Sequence, residues 1–271
     1  MALRLRQTET PTVPLEAEGL APDRLAGMTR AEIQALPVWH GNQGARLGDF
    51  FAVSGSGADD VRLEGDLRRV KFVGAGMAAG RLVVSGSAGM HAGARMRGGE
   101  LIIEGDAGDW AGAEMTGGLL QVRGSADRWL GGAYPGSRAG MSGGEIVVHG
   151  NAGDQAGAAL RRGVVAIGGR AGRYAALRML AGTIVAFGGV DGHPGAGMRR
   201  GSIVSMLPAV PLPTFSFSCA YHPPFLDLLL RRLRGLGLRV TEEQLGGRYA
   251  RWCGDGLELR RGDLLILESH S

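Results

Sequence analysis

Cysteine is nearly absent from this 271-residue chain. Cys219 and Cys253 are the only two, too few and too far apart for a disulfide framework or a Cys-based metal site. Lysine is scarcer still, Lys71 standing alone. No run of 18 apolar residues occurs, which excludes a spanning helix on ordinary criteria. The opening MALRLRQTETPTVP lacks the apolar segment of a secretory leader. Among His40, His91, His149, His193, His222 and His270, no pair has HxxH or HExxH spacing. There is no GxxxxGK[ST] phosphate loop and no nucleophile elbow around Ser85, Ser87 or Ser125. These absences predict a cytoplasmic protein with no metal of its own, no membrane contact and no catalytic residue. Cys219 and His222 are close in sequence, but Pro223 and Pro224 and an extended setting make them a poor catalytic pair.

Glycine is what the chain has in excess, 49 residues against a usual share of ~7%. Collagen would need glycine at every third position, and a flexible linker would lack Val, Ile and Leu. Here the glycines punctuate short apolar strands such as LVV and LII. RLVVSGSAGMHAGARMRGG, ELIIEGDAGDWAGAEMTGG, EIVVHGNAGDQAGAALRRG and VVAIGGRAGRYAALRMLAG share one form: a strand, G-x-A-G, a linker, then G/A-x-x-M/L-x-x-G. The Met or Leu anchors are Met77, Met96, Met115, Met141, Leu160, Met179 and Met198, spaced 19, 19, 26, 19, 19 and 19. A glycine follows each by three: Gly80, Gly99, Gly118, Gly144, Gly163, Gly182 and Gly201. The first copy is degenerate, with Leu67 read at a glycine position.

One such strand cannot bury its face alone, so the copies must stack with parallel pairing. The prediction is an all-β fold, a right-handed parallel β-helix (a solenoid) of about seven 19-residue coils. At roughly 4.8 Å per coil the stack would be about 34 Å long. The anchors point inward, and the glycines allow positive φ at tight corners. GAGMAAG at 74–80 and GAGMRRG at 195–201 look like dinucleotide fingerprints. Both are one residue off that spacing and coincide with anchors, so they read as structural glycines. Asp106, Asp109 and Asp154 fall in corners, where carboxylates accept turn N–H bonds.

Three regions follow: an N-terminal flank or cap at 1–60, the β-helix at 61–205 and a C-terminal extension at 206–271. The flank contains a short helix in MTRAEIQAL, capped by Thr29 with Glu32 three residues on. Trp39, His40 and Asn42 offer the makings of a site, but read first as a packed turn or a partner contact. The fourth repeat carries seven extra residues; Trp129, Tyr134 and Pro135 are expected to leave the coil outline together there, and Trp129, Tyr134 and Arg138 are candidate interface residues. The extension contains an amphipathic helix near Pro224–Leu236, with a largely apolar face of Phe225, Leu228, Leu229, Arg232, Leu233 and Leu236. Tyr221, Phe225, Arg231, Arg232 and Arg234 are candidate interface residues as well. Two strands are expected around Gly254–Gly256.

The formal charge is +4, carried by arginine. One reading is codon bias in a G- and C-rich genome. The other is an arginine-lined surface for an acidic partner. Acids are interspersed and no basic run is long, which disfavours nucleic acid.

The flank PLEAEGLAPDRLAGMTRAEIQALPVWHGN, the repeat GDAGDWAGAEMTGG and the extension PTFSFSCAYHPPFLDLLLRRL together resemble the C subunit of formylmethanofuran dehydrogenase. They look especially like its bacterial form, the C subunit of the formyltransferase/hydrolase complex of methylotrophs. The resemblance covers essentially the whole chain. The repeats alone also resemble the C-terminal domain of glutamate synthase large subunits, a structural β-helix. The resemblance implies a scaffold in a complex of four kinds of subunit used in one-carbon metabolism. One partner is a formyltransferase, moving formyl from formyltetrahydromethanopterin to methanofuran or an analogue. Another is amidohydrolase-like, contains a metal and releases formate. One more kind of subunit makes up the four. An archaeal setting would instead bring molybdenum or tungsten on a partner, and iron–sulfur clusters. No cofactor-binding residue is carried over, although the arginines suggest a place for an acidic polyglutamyl cofactor tail.

Overall fold

The computed structural model describes residues 2–268, and His270 lies outside them. The chain begins with β1 (Ala2–Gln7), β2 (Leu15–Glu16), α1 (Pro22–Leu25), α2 (Arg30–Gln34), β3 (Pro37–His40), β4 (Gln43–Arg46) and β5 (Phe51–Ser54). The repeats give β6 (Gly57–Glu64), β7 (Val70–Lys71), β8 (Arg81–Val84), β9 (Arg97–Ile103), β10 (Gly117–Val122), β11 (Ser142–Val148), β12 (Arg162–Ile167), β13 (Thr183–Ala186) and β14 (Arg200–Ser205). The extension adds β15 (Ser216–Tyr221), α3 (Pro224–Gly235), α4 (Glu242–Gly246), β16 (Tyr249–Gly254) and β17 (Arg261–Leu267). The molecule is therefore mostly β, with few and short helices.

Thirteen strands form one mixed sheet, in the order β15-β16-β17-β14-β13-β12-β11-β10-β9-β8-β6-β1-β5. From β6 to β14 every pairing is parallel, and the register follows the repeat. Leu82 faces Leu101, which faces Leu120, then Ile146, Val165, Ile184 and Ile203. A second line of parallel bridges joins Leu67, Ala88, Ala107, Ala126, Ala152, Ala171 and Val190. This corrects the reading of Leu67: it holds the alanine position of the repeat, not the glycine. The larger side chain is accommodated because Leu67 sits in the first copy and is fully buried in the core.

Strand alternation divides the apolar residues between two cores. Leu82, Leu101, Leu120 and Ile146 point into the main core together with all seven anchors, each fully buried. Val147, Ala166, Val185 and Val204 point the other way, into a separate cluster. Gly118 and Gly163 show why the corner must be glycine. Their φ angles are +85° and +100°. A Cβ on Gly118 would lie 2.8 Å from the Gly98 backbone, and one on Gly163 would lie 2.7 Å from Met141 Cε. Gly80, Gly99, Gly144, Gly182 and Gly201 share the positive φ.

Both flanks join the stack. From the N-terminal flank, β1 lies parallel to β6 and β5 closes that edge antiparallel. In the same flank, the Thr29 hydroxyl accepts the Glu32 N–H at 3.3 Å, while Glu32 accepts the Thr29 N–H at 2.7 Å. At the other end β17 lies parallel to β14, with β16 and then β15 added antiparallel.

The α3 helix covers the outward face of the repeat strands. Leu226, Leu230 and Leu233 pack on Val147, Ala166, Val185 and Val204. This corrects the expected apolar face: Phe225 and Leu228 are 43% and 75% exposed. The i, i+4, i+7 stripe from Leu226 is the one the sheet meets, and Leu229 and Leu236 lie only partly buried at its margin. Gln121, at the outward position of β10, donates to the Leu236 carbonyl at 2.7 Å. Among the described residues, no helix is long and apolar enough to cross a membrane.

Candidate functional site

Each corner after the G-x-A-G segment places a non-glycine residue at positive φ. The series is Phe72, His91, Trp110, Trp129, Gln155, Tyr174 and His193, with φ between 58° and 67°. None is β-branched, as the left-handed region requires. The repeat stacks their side chains along one corner of the body. Phe72 and His91 lie 4.5 Å apart with planes 10° off parallel. Trp110 and Trp129 stack at 4.6 Å, and Tyr174 and His193 at 4.9 Å. Trp129 Nε1–H donates to Gln155 Oε1 at 3.1 Å, continuing the line across the one member without a ring.

Trp129, expected to leave the coil with the fourth-repeat insert, does not do so. It holds the spine position, because its backbone N–H still bonds forward to Asp154 O. Tyr134 is the residue that departs. It reaches back over earlier copies, its ring 5.0 Å from Trp110 and 5.5 Å from His91. Its hydroxyl lies 2.8 Å from His91 Nδ1, and burial pushes the phenol up to about 12. Its N–H donates to Glu114 Oε1 at 3.3 Å, and the Arg95 guanidinium lies 5.3 Å from its ring centre. Burial opposes ionisation of Glu114, yet hydrogen bonds from Ser137, Arg95 and Tyr134 hold its carboxyl below the ordinary range. For His91, burial and then the Lys71 charge lower the imidazole pKa.

Tyr134 thereby closes one side of a cleft of about 400 Å³. Phe72 and His91 form a wall, Gly76 and Ala94 line the space between, and Glu18, Arg24 and Arg95 stand around it. Arg24 Nη1 donates to the Glu18 carbonyl at 2.6 Å.

The Ser, Asp and Asn side chains of the corners bind backbone. Ser87 accepts the Asp106 N–H at 3.0 Å, Asp106 the Ser125 N–H at 2.7 Å, Ser125 the Asn151 N–H at 3.1 Å and Asn151 the Arg170 N–H at 2.8 Å. Asp109 and Asp154 likewise accept from Arg128 and Arg173 at 2.9 and 2.8 Å. Each link joins one copy to the next.

The remaining candidate interface residues are dispersed. Arg138 is exposed on the insert. Tyr221 pairs with Tyr249 across β15 and β16. Arg232 is bound to Glu145 at 2.8 Å and Arg234 to Glu242 at 2.8 Å. Arg231 is exposed and has no ion pair among the described residues. His222 turns away from Cys219: its ring nitrogens meet Gly247 O at 2.9 Å and Asp227 Oδ2 at 3.0 Å. Trp39 is exposed, and the His40 ring packs at 5.1 Å from Phe50. Among the described residues no three His, Cys, Asp or Glu side chains gather where they could hold a metal ion.

The aromatic spine and its cleft escape a reading of the sequence alone. The signal is present, since Phe72, His91, Trp110 and Trp129 recur every 19 residues. It is masked because the residue type changes at every step but the one from Trp110 to Trp129, while only the phase is kept.

No family model matches the chain. It is 48% identical over 241 residues to the C subunit of the tungsten-containing formylmethanofuran dehydrogenase 2 of Methanococcus maripaludis, covering 88% of each chain. Against the corresponding protein of Methanothermobacter thermautotrophicus it is 41% identical over 92 residues, 32% of this chain and 34% of that one. Several archaeal relatives are thus matched over about a third of their length. Among solved structures it is similar, at TM-score 0.90 and 34% identity, to a chain of the formyltransferase/hydrolase complex (FhcABCD) from Methylorubrum extorquens in complex with methylofuran. That likeness covers 98% of this chain and 100% of the other.

Proposed function

Since the chain belongs to the family of formylmethanofuran dehydrogenase C subunits, we propose that it is a non-catalytic scaffold subunit of a formyltransferase/hydrolase complex. The observation that carries this reading is the end-to-end likeness to a chain of FhcABCD, flanks included. Its partners would be a formyltransferase subunit, an amidohydrolase-like subunit with its metal, and one further subunit. The first would move formyl from formyltetrahydromethanopterin to methanofuran or an analogue, and the second would hydrolyse the product to formate. The furan-bearing cofactor, the pterin and the metal would be held by those partners.

The repeat supports a rigid role. We read its lines of copy-to-copy bonding as faces of a right-handed parallel β-helix, the hand following the strong bias of parallel crossovers. In the three-part division, 1–60 and 206–271 are caps on a β-helix at 61–205, with 269–271 outside the described residues. The Ser, Asp and Asn side chains of the corners hold neighbouring copies together, which uses groups that catalysis would need free. A stiff body of this kind can hold two active sites at a fixed separation.

A second reading is favoured by the 48% identity to a tungsten-enzyme subunit: the same scaffold role within a tungsten or molybdenum dehydrogenase. Metal analysis of the purified complex separates the two, since only the second predicts tungsten or molybdenum. For the non-catalytic role, the purified chain alone is assayed with formyltetrahydromethanopterin and with a formylated furan amine. No turnover is expected with either, and turnover by the isolated chain would contradict the proposal.

A further inference from the structure

The cleft beside Phe72 is assembled by three stretches that are far apart in sequence. Glu18 and Arg24 come from the N-terminal flank. Phe72, Gly76, His91 and Arg95 come from the first two repeats, and Tyr134 comes from the fourth-repeat insert. The seven extra residues of that repeat thus bring a ring back across earlier copies to close a space that the flank closes from the other side. A regular stack with unmodified corners has no such enclosure. Its volume of about 400 Å³ lies within the ~300–1,000 Å³ of small-molecule sites.

The chemistry of the walls is specific. The Phe72 and His91 rings are nearly parallel and stack on one another along the wall of the cleft. Tyr134 holds His91 through Nδ1 at 2.8 Å, which fixes that stack in place. The Arg24 and Arg95 guanidiniums and the Glu18 carboxylate stand around the space, and Arg95 is also paired with Glu114 behind it. Arg95 reaches Glu114 with Nε at 3.0 Å, and Arg24 reaches the Glu18 carbonyl with Nη1. Neither bond engages the whole planar donor fork, which suits a carboxylate. Gly76 is part of the same arrangement: a Cβ there would lie 3.1 Å from Arg24 Nη2, so a side chain would crowd the guanidinium.

We propose that this cleft binds an aromatic carboxylate, its ring against the Phe72–His91 stack and its carboxylate on the Arg24 and Arg95 guanidiniums. Glu18, the acceptor at the rim, favours a ring that also carries a hydroxyl. The inference does not rest on the scaffold reading. A scaffold with this site would carry a small-molecule input to the assembly, and a chain with another role would carry it equally.

The test is calorimetric titration of the purified full chain with three probes: 4-hydroxybenzoate, 4-hydroxybenzamide and cyclohexanecarboxylate. The first has both ring and charge, the second lacks the charge, and the third lacks the ring. Saturable binding of 4-hydroxybenzoate is expected, at least about tenfold tighter than either control. Arg24→Gln, at an exposed side chain that leaves the cores intact, should weaken it about tenfold, whereas Arg231→Gln on α3 should leave it unchanged. Tyr134→Phe keeps the ring and removes the bond to His91, and a smaller loss is expected. Absence of saturation with 4-hydroxybenzoate, equal binding of the three probes, or binding indifferent to Arg24→Gln in a folded variant would each overturn the proposal.

Discussion

The two faces of the repeat strands bury comparable residues by different means. Inward, Leu82, Leu101, Leu120 and Ile146 meet the buried anchors, and every copy supplies the same positions. Outward, Val147, Ala166, Val185 and Val204 depend on one helix and its neighbours, supplied by a segment that follows the repeats. The inner core is written locally and many times over. The outer core is written once, at long range. The first should therefore behave as the cooperative body of the protein, the second as a unit that can loosen by itself.

The largest effect is expected inside. Gly163→Val imposes a β-branched residue at φ +100° and drives a Cβ against Met141 and the Gly144 carbonyl. A loss of about 3 kcal/mol or more is expected in urea unfolding. A near-neutral result would mean that the inner corners are not close-packed.

Next comes the outer face. Leu230→Ala empties a fully buried position under α3, at a cost of about 2–4 kcal/mol. Hydrogen exchange locates the damage: amides of α3 should open while those of β9 and β10 keep their protection. Equal loss in both places would show one core, and the contrast between the faces would fall.

A smaller effect tests the flank. Thr29→Ala removes the cap of α2 and should cost about 1 kcal/mol by thermal or urea unfolding. Loss of protection confined to α2 and β5 would place the flank with the outer unit, and global loss would place it with the inner one.

The smallest is a pH effect on the outer unit. The backbone bond to Gly247 and the Asp227 carboxylate raise the His222 pKa above its ordinary value. Arg231 and Glu242 are the other charged groups around that site. A raised folded-state pKa gives stability that is fully present below the unfolded value of about 6.5 and is lost as pH rises through the folded value. Exchange of α3 amides, corrected for intrinsic rates, should therefore quicken across that window, and His222→Gln should remove the dependence. A dependence of the opposite sign would show that His222 is held neutral.

How much is legible in the sequence follows the same division. The 19-residue period and its one 26-residue step can be read there, and they reappear as the strand register, because parallel pairing translates repeat spacing directly into neighbours. The Thr29 cap and the span of α3 are equally local. The buried face of α3 is not, since Phe225 and Leu228 are as apolar as Leu226 and Leu230, and only the sheet decides between the stripes. The return of β17 to β14 leaves no periodic trace, because Leu264 simply takes the next place after Ile203 from outside the repeat. The cleft is hidden for a related reason. Tyr134 reads as a loop residue projecting outward, and nothing local says that it turns back toward His91.

The central claim is that this rigid body serves other subunits. Its most direct test is to tag the chain in its native cell, purify it under mild conditions and identify what accompanies it by mass spectrometry. The account predicts a formyltransferase and an amidohydrolase-like protein in fixed ratio with the tagged chain. Recovery of the chain with neither of them would contradict it.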